Sequence, residues 1–302
     1  MKMESIRKNS KIMVITCTGN YRKKQFFNIV NQIATFFEGD SNYRILLSDE
    51  YLSKNIKSNL SKNITVDNFT NCIKCSDLIF SIGGDGTILS TVRKLNKNEI
   101  PVLGIHIGNL GFLAQCTEDS LLDALNCIES NNYENENRII LELEVDNSKK
   151  FYALNDIVVD HGSSGRILKT KVYIDGDHIN DYESDGIIVS TPTGSTGYSL
   201  SSGGPIIAPD LDVLNVTPIS SHSLSARPIV LPSHKNIGIK FTDKFIDAAI
   251  TVDGQERIKL SKKSKISIKK ANHLAILLKL PFNSYISTLK EKLGWSGKSK
   301  EA

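Results

Sequence analysis

The sequence has no apolar run long enough to span a membrane; one of its longest, LAILLKL at 274–280, is short and carries a lysine. No signal-like apolar stretch follows the charged opening residues MKMESIRKNS, so a cytoplasmic location is the expectation. The five cysteines, Cys17, Cys72, Cys75, Cys116 and Cys127, are an odd count, which argues for free thiols rather than a disulfide framework. Cys72 and Cys75 make one CxxC without a second ligand pair at zinc spacing, and the six histidines include no HExxH. A net charge of +4 is too small to point to nucleic acid. Two phosphate motifs are also missing: there is no GxxxxGK(S/T), and GGDGTIL lacks the third glycine of GxGxxG.

What is present is an ordinary globular composition, 40% hydrophobic and 23% charged over 302 residues, enough chain for two domains. The first part alternates between two periods. KIMVITC (11–17), YRILL (43–47), DLIFSI (77–82) and PVLGIHIG (101–108) read as strands. Residues 21–38, 86–96 and 118–130 read as helices, the last with Leu121, Leu122, Leu125 and Ile128 facing inward. That alternation predicts an α/β domain with a parallel sheet covered on both faces. The polar stretch 48–76 gives only a loosely structured reading.

After NNYENEN (131–137) the texture changes to short, alternating, Val- and Ile-rich segments broken by Asp146-Asn147, Asp175-Gly176 and Asp253-Gly254. These predict an all-β C-terminal domain. FNSYISTLKEKLGWS at the end returns to helical periodicity, with Leu289 and Leu293 on one face. The division expected is an α/β phosphate-donor domain at 1–135, to which a C-terminal helix in 281–302 packs back, and a β-rich domain at 136–280.

Two stretches carry chemistry. SIGGDGT (81–87) ends a buried strand, where ligands of open α/β sheets bind. Gly83, Gly84 and Gly86 let backbone N–H groups approach an anion, a following helix offers its N-terminus, and Thr87 adds a hydroxyl. Asp85 is the odd member, because a carboxylate repels phosphate. It serves an attacking hydroxyl or a magnesium-bound water, or else it caps the helix in an ordinary turn. The second stretch is TGSTGYSLSSGG (193–204), in which ten of twelve residues are Gly, Ser or Thr. Its hydroxyls and amides suit ribose and phosphate oxygens, with Tyr198 and Leu200 as anchors; the alternative is a mobile surface loop. Asn155-Asp156 and Asp185 interrupt apolar runs nearby.

Taken together the chain resembles the NAD kinases. The likeness runs through GGDGT (83–87), GIHIGNLGFL (104–113), LND (154–156), SDGIIVSTPTGSTGYSLSSGGPI (184–206), ARPIVLP (226–232), VDGQ (252–255) and KLGW (292–295). GGDGT alone is shared with lipid kinases and phosphofructokinase-like enzymes; the long middle block is specific. The resemblance implies phosphorylation of the adenosine 2′-hydroxyl of NAD, with ATP or polyphosphate as donor and Mg2+ or another divalent metal as cofactor. It implies Asp85 as proton acceptor or orienting base within the loop of Gly83, Gly84, Gly86 and Thr87. It places Asn155, Asp156, Arg166, Asp185, Thr196, Gly197, Tyr198, Ser201 and Gln255 around the NAD. It also implies a homodimer or homotetramer whose sites borrow residues from a neighbouring subunit, with no nucleic-acid or membrane partner. The chain departs from the pattern at Asp156, where glutamate is frequent, at Gly197 for alanine, at His106 for asparagine, and at Glu183 where a base is common. The rival readings are another GGDGT kinase, acting on a lipid or sugar phosphate, and a non-catalytic nucleotide sensor. A serine-rich loop argues against lipid, and a carboxylate among phosphate-binding amides argues against plain binding.

Overall fold

The computed structural model describes residues 12–48, 60–108, 110–146, 150–242 and 247–295. They divide into two compact units. The first holds the described residues up to Thr91, Ile100–Glu136 and those from Ile276 onward; the second holds Val92–Glu99 and Asn137–Ala275. This division differs from the sequence expectation at two places. Val92–Glu99 goes with the second unit, where Arg93 bonds Asp253 and Gln255 and Glu99 accepts the Leu274 N–H. The chain rejoins the first unit at Ile276 rather than 281, because Leu277 pairs with Val102.

In the first unit the strands Ile64–Asp67, Tyr43–Ser48, Met13–Gly19, Leu78–Gly83 and Val102–His106 lie side by side in that order, every pairing parallel. Leu78–Gly83 is buried at every position, as a parallel strand covered on both faces must be. The helix Lys24–Phe36 buries Phe26, Ile29, Val30, Ile33 and Ala34, a three-to-four spacing that makes one apolar stripe. The helix Leu121–Glu129 buries Leu121, Leu125 and Ile128, but Leu122 is 62% exposed. Lying about 100° around the helix from Leu121, it falls outside the buried stripe. The stretch 48–76 is more ordered than its polarity implied. It contains the strand Ile64–Asp67 and the helix Phe69–Cys75, capped by Asn68 through the Asn71 N–H; residues 49–59 lie outside the described residues. A four-residue edge strand needs only a partner's free edge and leaves little apolar signature. Cys72 is buried and Cys75 exposed on that short helix, and all five thiols are free. The helix Tyr285–Leu293 belongs to the first unit, tied there by Asn283, whose amide donates to the carbonyls of Ala114 and Gln115. No described helix is long and apolar enough to cross a membrane.

The second unit is antiparallel. One array runs Asp177–Ser184, Leu168–Ile174, Ile237–Phe241 and on to Ile266 and Ile268. The other is a six-stranded sheet in the order Ile229–Pro232, Val213–Ile219, Gly186–Ser190, Asp156–Asp160, Ala249–Val252, Glu256–Lys259. Alternate residues of both arrays, among them Val172, Ile239, Val159, Ile187 and Ile250, share one core. The expected Asp-Gly turns are present: Asp175 and Gly176 have φ of 51° and 96°, Asp253 and Gly254 of 49° and 66°, the left-handed pair a tight hairpin turn requires. Asp146 is also left-handed at φ 55°, while Asn147 lies outside the described residues.

Candidate active site

The glycine loop leaves the carboxyl end of Leu78–Gly83 and enters the helix Asp85–Leu95 at once. Gly83 pairs with His106 in the neighbouring strand, and its carbonyl accepts the Ile107 N–H. No side chain fits at Gly83, since a Cβ would run into Thr87, which folds back over it. Gly84 faces His106, whose Nε2 would lie 3.5 Å from a Cβ there. The Gly84 carbonyl accepts the N–H groups of Thr87 and Ile88 and so closes the first turn. Lys23 brings a cation to the same end of the sheet, its ammonium 3.5 Å from the Ile107 carbonyl.

Asp85 does not cap its own helix. Its carboxylate accepts the N–H of Phe112 at 2.7 Å and of Leu113 at 3.2 Å. Gly111 precedes them and lies so close that a Cβ there would collide with the Asp85 carboxylate. The turn at 111–113 is therefore a clamp for one side chain. Each carboxylate oxygen takes a single N–H bond, which leaves each a further lone pair.

In the second unit, Asn155 and Asp156 form a turn enclosed by the hydroxyl loop. Thr191 donates its N–H to the Asn155 carbonyl and its hydroxyl to the Leu154 carbonyl. Gly194 lies against the Asn155 backbone with no room for a Cβ, whereas a Cβ at Gly197 would sit 3.8 Å from both Asn155 Nδ2 and Asp156 Oδ2. Asn155 Oδ1 is buried without a hydrogen-bond partner, and the Asp156 carboxylate, itself buried, makes no hydrogen bond among the described residues.

The loop is only partly the exposed polar surface that its composition implied. It forms a 3-10 turn, Thr193–Thr196, and a short helix, Tyr198–Ser201. Ser195 and Ser199 are buried. Ser195 bonds the Pro192 and Ile207 carbonyls, and Ser199 accepts from Asn215. Tyr198, expected as an anchor, is 49% exposed; the buried hydroxyls hold the loop instead. Ser201 is exposed and Thr196 half-buried.

Three other predicted residues lie outside the hydroxyl loop. Gln255 is exposed, its Oε1 accepting from Arg93 at 2.6 Å. Arg166 is exposed in the turn before Leu168. Asp185 precedes Gly186–Ser190, in which Ser190 pairs with Asp156 and Gly186 with Asp160. Asp185 thus lies about 17 Å along the strand from Asp156, at about 3.4 Å per residue. Glu183 pairs with Lys169 at 3.1 Å.

Sequence reading overlooked Asp253, whose carboxylate accepts the N–H groups of Leu154, Asn155 and Asp156. Its local signals were the Asp-Gly turn and its place in VDGQ (252–255). Burial pushes the Asp156 carboxyl up to about 7, and the Asp253 charge adds to that push. Burial also raises Asp253, against the pull of the N–H groups it accepts and of Arg93. The folded Asp156 therefore holds its proton where the unfolded chain, at its ordinary 3.8, has lost it. The contribution of Asp156 to stability is present below about pH 4 and is lost as pH rises through about 7. Thermal unfolding across that window should show a shallower fall for Asp156→Asn, which cannot ionise; a slope identical to wild type would contradict the assignment.

A parallel sheet with a glycine loop at its carboxyl edge, joined to an antiparallel unit enclosing a polar turn, is the architecture of the NAD and NADH kinases. The structure of yeast NADH kinase complexed with NADH superposes with a TM-score of 0.85, at 24% identity over 97% of this chain and 91% of that one. An NAD kinase from Archaeoglobus fulgidus in complex with ATP gives 0.72 at 23% identity over 94% and 100%. Residues 21–133 match the ATP-NAD kinase N-terminal domain and 154–280 the ATP-NAD kinase C-terminal domain. NAD kinases of Clostridium botulinum and Gemmatimonas aurantiaca are 41% and 38% identical, each over 74% of this chain and 81% and 79% of their own. The chain belongs to the NAD kinase family.

Proposed function

We propose that this enzyme phosphorylates NAD with ATP as donor, at the adenosine 2′-hydroxyl, and that Asp85 is its catalytic carboxylate. The observation that carries the reading is Asp85 itself, clamped by two backbone N–H groups at the head of a phosphate-type glycine loop. Gly83, Gly84, Gly86 and Thr87 receive the donor's phosphates, with Lys23 as a nearby cation. Asn155, Asp156, Thr196, Gly197, Tyr198, Ser201 and Gln255 receive the acceptor nucleotide. Asn155 Oδ1, buried without a partner among the described residues, is a group that a bound nucleotide would satisfy. Asp185 lies about 17 Å along the strand from Asp156, and Arg166 is exposed just before Leu168. They suit a nucleotide held by a neighbouring copy in a homodimer or homotetramer.

In the transfer, the hydroxyl oxygen bonds to the γ-phosphorus as the bond from that phosphorus to ADP breaks. The hydroxyl proton passes to Asp85 and then to solvent, leaving NADP and ADP. A carboxylate is a far weaker base than an alkoxide, so Asp85 acts late in the transfer and chiefly by orienting the hydroxyl. Among the described residues no three His, Cys, Asp or Glu side chains group to cage a metal. Mg2+ or another divalent ion would be held mainly by the donor's phosphates and water, with Asp85 as the loop's carboxylate available to it. When bound, the ion neutralises phosphate charge.

A lipid or sugar phosphate as acceptor is not favoured, given relatives named NAD kinase over most of their length. Offering γ-labelled ATP with NAD, a diacylglycerol and a sugar phosphate in one mixture tests the point. Label should appear on NAD alone; label on either competitor would overturn the acceptor assignment.

A further inference from the structure

Asp253 is a costly residue to bury. Its side chain is fully inaccessible, and an ionised carboxylate out of water is tolerated only when it is paired or richly hydrogen-bonded. Its bonds converge on one place. Oδ1 accepts from the N–H groups of Asn155 at 2.8 Å and Asp156 at 3.3 Å, and Oδ2 from that of Leu154 at 3.2 Å. Arg93 stands 3.4 Å from Oδ2 and is the one cation bonded to it among the described residues. The Asp253 N–H returns a bond to the Asp156 carbonyl at 2.9 Å. The left-handed backbone at Asp253 and Gly254 turns the chain so that main chain and side chain both address the same three residues. An ordinary hairpin turn needs none of this; Asp175-Gly176 makes one at the surface, with its carboxylate toward Lys235.

The turn held in this way is fixed from behind and unsatisfied in front. Its backbone N–H groups are all taken by one carboxylate, while Asn155 Oδ1 is buried without a hydrogen-bond partner among the described residues. We propose that Asp253 is a positioning residue for the acceptor nucleotide: its carboxylate locks the Leu154–Asp156 backbone and so presents Asn155 and Asp156 in their binding geometry before NAD arrives. The proposal rests on the reading of residues 155 and 156 as acceptor-binding. Asp253 acts through that turn rather than on the substrate.

Asp253→Asn keeps the shape but replaces one acceptor oxygen with an amide that confronts an N–H donor. The expected result is a KM for NAD raised about tenfold, with kcat and the KM for ATP little changed. A purely structural role would lower kcat with the folded fraction and leave both KM values alone, and that result would overturn the proposal. Asn155→Ala separates the two layers. If it too leaves the NAD KM unchanged, the acceptor reading of the turn is wrong; if it raises the NAD KM while Asp253→Asn does not, the positioning role alone is wrong. Amide hydrogen exchange on the wild-type protein decides the matter should Asp253→Asn not fold. The amides of residues 154–156 should be protected before NAD is added; exchange at open-loop rates, with protection only after NAD, would show that the ligand and not Asp253 orders the turn.

Discussion

Asp85→Asn should lower kcat by about 10²- to 10⁴-fold, the range of a general base or orienting group, while NAD still binds. The substitution keeps the volume and removes the charge that a ribose hydroxyl would be steered toward. It also disturbs the clamp. The carboxylate accepts two N–H bonds from Phe112 and Leu113, and an asparagine offers its amide nitrogen to one of them. The cost to stability should be at most about 1–3 kcal/mol, that of one mismatched, partly buried donor, which is too small to account for the lost turnover. Steady-state rates, thermal unfolding and calorimetry with NAD on the same preparation separate these effects. A variant with near-normal turnover would remove Asp85 from the chemistry.

Gly111→Ala should be nearly as damaging, although residue 111 has no side chain and is assigned no contact with substrate. An added methyl would occupy the space of the Asp85 carboxylate. One of the two must move, and a carboxylate on a rotatable side chain moves more easily than a turn whose N–H groups point at it. Overpacking of this kind costs about 1–3 kcal/mol in stability. The larger effect should be on kcat, which is expected to fall at least about 10²-fold as the carboxylate is displaced. A crystal structure of the variant would show Asp85 rotated off the Phe112 and Leu113 N–H groups. Unaltered kcat in a folded variant would mean that the clamp does not orient the catalytic group.

Both predictions depend on a contact that local sequence does not disclose. The glycine loop was legible because its parts are contiguous: a buried strand, three glycines and a helix start within a few residues. The clamp on Asp85 comes from 27 and 28 residues away, and GIHIGNLGFL shows only that a turn follows a strand. Asp253 is harder still, reaching Asn155 across 98 residues through a pairing of strands that composition does not specify. The hydroxyl loop misled in part for a related reason. Serines read as surface, yet Ser195 and Ser199 are buried because backbone carbonyls and Asn215 satisfy them, and that leaves Tyr198 on the outside. Leu122 shows the opposite limit: an apolar residue inside an apolar run need not face the core. Alternation of strands and helices, by contrast, survives without any knowledge of partners, and so the two-part architecture could be read directly.

Purified protein incubated with NAD, ATP and Mg2+, then read with a dehydrogenase that accepts only NADP, bears most directly on the chemistry assigned to this loop. NADP should accumulate in step with ADP, and omission of either nucleotide should abolish it. Tight NAD binding by the folded protein without any NADP formed would contradict the account.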